Sequence, residues 1–176
     1  LNYLLNLANC YEEVVQDFKY DISSKRKNLR TPDVMVRAGH RCIFFECKSA
    51  VPFLSLRDFD LDKIKATKER YANSIIQVFN RIQDFREGFY YPFKHVMDFS
   101  VENIFGVVVL LEDSFIPRGS IYEEVATKLN LSMDSPSMYC IRSNIKIIDF
   151  HEIEDVSFCG EDYSKCLEIQ RNNPSD

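Results

Sequence analysis

The sequence predicts an α/β domain in which a mixed central β-sheet is flanked by helices. Three observations carry that expectation. The run "IFGVVVLLED" at 104–113 is almost continuously apolar, as a strand buried on both faces should be. Ahead of it, Leu61, Ile64, Tyr71, Ala72, Ile75, Phe79 and Ile82 form one helical stripe. Further upstream, "TPDVMVRAGHRCIFFECKSA" at 31–50 reads as a β-hairpin turning at Gly39-His40.

Taken in order, residues 2–18 place Leu4, Leu7, Ala8, Tyr11, Val14, Val15 and Phe18 on one helical stripe, which predicts a leading helix. A short strand at 18–22 and a basic loop should follow, then hairpin strands at 33–36 and 42–48. A loop with Pro52 leads to a helix over 61–85, and the apolar run supplies the next strand. Residues 119–130 read as a helix with Ser120 as N-cap and Glu123-Glu124 in its first turn. "IKIIDF" at 145–150 is a further strand, 152–169 holds one or two short helices, and 172–176 is a polar tail. The predicted order is α-β-β-β-α-β-α-β-α.

Length and composition bound the function classes. At 176 residues, 45% hydrophobic and 28% charged, the chain suits a single globular domain spanning 1–176. It begins at Leu1, which fits a domain excised from a longer protein. No apolar window reaches the 18 residues a membrane span requires, so no membrane partner is expected. Six cysteines without C-x-x-C pairs read as free thiols of a reducing cytoplasm. His40, Cys42 and Cys47 are close in sequence, but Cys42 and Cys47 are five apart on one strand and face opposite sides, which argues against a shared zinc. The net charge of −5 does not advertise nucleic-acid binding. Locally, Lys25, Arg26, Lys27 and Arg30 form one basic cluster, and Lys63, Lys65, Lys68 and Arg70 another. Either could attract phosphates, or be an ordinary solvated surface.

The hairpin poses a chemical problem. Gly39 at the first central position suits a type II′ turn, which sets Ala38 opposite Arg41 and every opposed pair to a sum of 79. Asp33 then faces Glu46, and Lys48 shares that face two residues on. Val34, Val36, Ile43, Phe45 and Cys47 make the other face core, while Met35 and Phe44 cover the acidic face as well. Opposed like charges destabilise a sheet, and burial aggravates the cost. A divalent cation between the carboxylates would offset it. The plain alternative is a Glu46–Lys48 salt bridge at an exposed hairpin end, with Asp33 as a turn residue.

Pro32-Asp33 followed across a hairpin turn by Glu46-Cys47-Lys48 resembles the PD-(D/E)XK nuclease family, which has a restriction-endonuclease-like core. The order of elements up to about residue 150 resembles it too. The resemblance implies that Asp33 and Glu46 bind Mg²⁺, with Mn²⁺ as a substitute, and that the Cys47 backbone carbonyl adds a ligand. It implies that Lys48 orients or activates the attacking water. Such a site suits a hard cation that takes one or two carboxylates and keeps several waters. Many members draw a further acid from the leading helix. Glu12 flanks the predicted stripe and is the better candidate than Glu13, an ordinary solvated acid being the alternative. Many also place a glutamine on the helix after the third strand. Gln77 is suitably downstream, yet it lies almost opposite that helix's apolar stripe, so a kink or a second buried face with Ile76 is needed to bring it in.

The function so implied is Mg²⁺-dependent hydrolysis of DNA phosphodiester bonds, in a restriction, defence or DNA-processing system. RNA is not excluded, and a homodimer or further domains of a longer chain stay open as partners. The alternative is an inactive nucleic-acid-binding or assembly module of the same fold. A third reading is an unrelated interaction domain whose hairpin acids are structural.

Overall fold

The computed structural model describes residues 1–7, 10–48, 60–94, 103–111 and 116–172. Its elements in chain order are α1 (Asn2–Leu7), β1 (Glu13–Gln16), β2 (Lys19–Tyr20), β3 (Leu29–Arg30), β4 (Val34–Ala38), β5 (Arg41–Lys48) and α2 (Leu61–Arg86). Then come β6 (Ile104–Leu110), α3 (Arg118–Leu129), α4 (Pro136–Asn144), β7 (Ile145–Asp149), α5 (Phe150–Phe158) and α6 (Tyr163–Asn172). Five strands form one sheet in the order β1-β4-β5-β6-β7, and β2-β3 form a separate two-stranded ribbon. The main sheet is mixed: β1/β4 and β4/β5 are antiparallel, β5/β6 and β6/β7 parallel. This is the expected class, a mixed central sheet flanked by helices.

The hairpin register is the one its turn dictates. Ala38 pairs with Arg41, Val36 with Ile43 and Val34 with Phe45. Gly39 has φ +60° while His40 is absent from the positive-φ positions, the pattern of a II′ turn rather than a I′ turn. Alternation along β5 then sorts the core. Cys42 and Phe44 join Met35, Tyr71, Ile75, Val78 and Ile82 under α2, α3 and α4. Ile43 and Phe45 join Val34, Val36, Phe105 and Leu167 under α1, α5 and α6. Cys42 and Cys47 accordingly lie on opposite faces.

The predicted leading helix over 2–18 is corrected. Helix α1 ends at Leu7, and Glu13–Gln16 is an edge strand pairing Glu13 with Arg37 and Gln16 with Val34. The burial there has a period of two: Val14 packs into one cluster and Val15 into the other. Two adjacent β-branched residues gain more from the open edge of β4 than from a helix. Three smaller differences follow. Strand β3 and helix α4 were not expected, although Ser135 caps α4 through Met138 N and Pro136 starts it. Ser120 does not cap α3; its hydroxyl donates to the Pro117 carbonyl from within the first turn. No acid stands in that first turn. The Pro52 loop and residues 173–176 of the expected polar tail lie outside the described residues.

Helix α2 lies across β5, β6 and β7 and brings its side chains to the sheet. Gly106 permits the close approach: a Cβ there would sit 2.4 Å from Val78 Cγ1. Buried along α2 are Thr67, Tyr71, Ala72, Ser74, Ile75, Val78, Ile82, Asp84 and Phe85, whereas Leu61 is 78% exposed. The buried face is therefore rotated from the stripe that the apolar residues alone suggested.

Candidate active site

The open end of the β4–β5 ladder is where the charged residues gather. Asp33 occupies a bend just before β4, and its Oδ2 accepts from Cys47 N at 2.7 Å. Its own carbonyl accepts from Asp17 N at 3.1 Å, so the Asp33 backbone carbonyl points toward β1. Pro32 then points toward β5, and the register carried past Val34 sets it opposite Cys47. Proline has no N–H to give. The Cys47 N–H donates to the Asp33 carboxylate, and the Cys47 carbonyl, on the same side of its strand, meets no ladder donor from Pro32. The Pro-Asp pair thus anchors one carboxylate beside a carbonyl to which Pro32 gives no hydrogen bond.

Glu46 is 4% exposed, on the face of β5 that packs beneath α2. Its Oε1 accepts from Lys48 Nζ at 2.7 Å and from Gln77 Nε2 at 2.8 Å. Burial pushes the Glu46 carboxyl above the usual carboxylate range. The Lys48 hydrogen bond opposes that rise, and the Asp33 charge adds to it. Burial likewise pushes the Cys47 thiol up to about 11, with Asp33 again contributing. Among the described residues, Asp33 Oδ1 and Glu46 Oε2 have no hydrogen-bond partner, so each carboxylate keeps one oxygen free.

The structure therefore brings together Asp33, Glu46, Cys47, Lys48 and Gln77. Gln77, almost opposite the apolar stripe, reaches Glu46 from one continuous helix, because the buried polar residues Thr67 and Ser74 extend the buried face toward it. It leaves Glu12 out, which corrects the expectation of a further acid from the leading helix. Glu12 pairs with Arg37 Nη1 and accepts from Gly39 N at 3.0 Å, at the turn end of the hairpin. That is at least four residues along the strand from Asp33, about 13 Å. The physical reason is that β1 replaces the helix that would have carried it. Glu13 also binds Arg37, at 2.8 Å.

The basic cluster at 25–30 sits on the β2–β3 ribbon beside α2. Arg26 lies 3.7 Å from Asp84, and Arg30 lies 3.2 Å from Asp17. Lys25 and Lys27 are exposed. Among the described residues, none of the four touches Asp33 or Glu46. Among the described residues, no three His, Cys, Asp or Glu side chains group around one position where a metal could sit. A cation at this end of the sheet would rest on two carboxylates, a carbonyl and water. No described helix is long and apolar enough to cross a membrane.

No protein-family model and no curated protein matches the sequence. Among solved structures, the small subunit of a heterodimeric restriction endonuclease is similar with a TM-score of 0.45 and 12% identity. That similarity covers 96% of this chain and 73% of the other.

Proposed function

We propose that the protein is a Mg²⁺-dependent nuclease that hydrolyses DNA phosphodiester bonds, with Mn²⁺ able to substitute. The observation that supports this most is the division of labour at the two carboxylates. One oxygen of each is fixed by the protein, Asp33 Oδ2 by Cys47 N and Glu46 Oε1 by Lys48 and Gln77, and the other is open. Two open carboxylate oxygens and a carbonyl to which Pro32 gives no hydrogen bond form a hard-oxygen donor set, which is the chemistry Mg²⁺ requires. Asp33, Glu46 and the Cys47 carbonyl would hold the ion. When bound, it supplies charge stabilisation at a phosphate and lowers the pKa of water.

The remaining work falls to the chain's own groups. Lys48 is about one-quarter exposed, and one of its three N–H bonds is directed to Glu46. The others can orient a water or a phosphate oxygen at the same point. Gln77 fixes the Glu46 rotamer, so that the carboxylate needs no rearrangement when substrate arrives. Lys25, Arg26, Lys27 and Arg30 are candidates for phosphate contacts away from the reacting centre.

The test is incubation of the purified protein with linear, circular and single-stranded DNA and with RNA, in Mg²⁺, Mn²⁺ or EDTA. Metal-dependent cleavage of DNA supports the reading. Binding without cleavage identifies an inactive nucleic-acid-binding module, and cleavage of RNA alone moves the substrate.

A further inference from the structure

Beside Lys48 lies a groove of about 470 Å³ whose wall is the N-terminal half of α2, with Ala66, Arg70, Asn73 and Gln77 along it. With Lys63 these residues stand at intervals of three and four, so they form one ridge of the helix. The ridge carries two cations, one amide, one small residue and then the glutamine that binds Glu46. Glu69, on the shoulder of the groove, is its only acid among the lining residues. Arg70 and Asn73 are exposed and make no side-chain hydrogen bond or ion pair among the described residues. Among the described residues, Lys63 pairs with its neighbour Asp60 alone, at 3.4 Å. By contrast, two of the four basic residues on the β2–β3 ribbon are paired with aspartates.

We infer that this ridge is the track along which one nucleic-acid strand enters, with Arg70 binding a phosphate next to the one positioned at Lys48. The inference rests on the nuclease reading for the identity of the ligand. Its location rests on the groove itself. Asn73 and Arg70 lie about 6 and 10.5 Å along the helix from Gln77, a range that neighbouring phosphates of one strand can span. A guanidinium suits this task because its planar fork grips a phosphate with two parallel N–H bonds. Ala66 leaves room for a sugar where a longer side chain would fill the groove. Arg70 and Asn73 are positioning residues here, since neither reaches Glu46 or Asp33.

The experiment measures affinity without turnover. Labelled single-stranded and duplex oligonucleotides are titrated with the protein in EDTA, at several salt concentrations, for wild type, Arg70→Ala, Arg70→Lys and Asn73→Ala. Arg70→Ala should weaken binding about tenfold, independently of base sequence, and reduce the salt slope by about one. Arg70→Lys should keep the slope and lose part of the affinity. Arg70 is an exposed helix residue, so alanine should leave the melting temperature within about 1–2 °C. Unchanged affinity and slope in Arg70→Ala overturn the inference even if the wild type cleaves DNA. Loss of binding in a protein that cleaves nothing leaves the track standing and removes the nuclease reading. A wild type with no affinity for either oligonucleotide overturns the track.

Discussion

Glu46 is a buried carboxylate held by a lysine and an amide, and the balance among these determines what its substitution does. Burial and Asp33 raise its pKa despite Lys48 and Gln77. A carboxyl whose pKa is raised on folding contributes stability that is fully present below its ordinary pKa and lost as pH rises through the folded value. Ionisation of Glu46 therefore weighs against the fold as pH rises. Glu46→Gln in EDTA should melt at or above the wild-type temperature at pH 7, and the difference should shrink or reverse at pH 4. Thermal melts at the two pH values check this. Asp33 offers a different contrast. Asparagine can still accept the Cys47 N–H, while alanine leaves that donor orphaned. Asp33→Asn should therefore match wild-type stability without metal, and Asp33→Ala should lose about 1–3 kcal/mol. Denaturant unfolding in EDTA distinguishes them. Lys48→Ala should lower cleavage about 10²–10⁴-fold while retaining metal binding. Lys48→Arg should not rescue it, because a planar guanidinium cannot replace a compact ammonium. Single-turnover rates, alongside Mn²⁺ titration, measure both effects.

At the scale of elements, what could be read from the sequence depended on whether local chemistry or distant packing decided. The β4–β5 register was legible because a glycine turn fixes it and alternating side chains agree with it. Strand β1 was not, since Val14 and Val15 fit a helical stripe as well as an edge strand. Only the pairing with β4 decides between them. Glu12 was misplaced for that reason alone. Gln77 lies away from the apparent stripe because Leu61, Ile64 and Phe79 draw that stripe off the buried face. Thr67, Ser74 and Asp84, buried polar residues that a hydrophobic count ignores, set the true one. The contact between α2 and the sheet is also testable. Gly106→Ala places a methyl 2.4 Å from Val78 Cγ1, deep in a packed interface. It should cost about 1–3 kcal/mol, and Val78→Ala in the same chain should recover part of that loss. Urea melts of the two single variants and the double variant measure the coupling.

For the molecule as a whole, the central sheet ends in one corner where Asp33, Glu46, Lys48 and Gln77 meet. The helix that covers β5 also delivers Gln77 to it, and Pro32 can give no hydrogen bond to the carbonyl that lies beside the two acids. A net charge of −5 means that affinity for nucleic acid must come from local groups, and binding should weaken steeply with salt. The central claim is that Asp33 and Glu46 together hold the cation on which hydrolysis depends. The most direct measurement is cleavage of supercoiled DNA across a Mg²⁺ titration, for wild type, Asp33→Asn and Glu46→Gln in parallel. The predicted result is nicking or linearisation by the wild type that saturates with Mg²⁺ and vanishes in EDTA, with no cleavage by either variant at any metal concentration. Cleavage that persists in either variant, or in EDTA, would mean that hydrolysis does not depend on a cation held by Asp33 and Glu46.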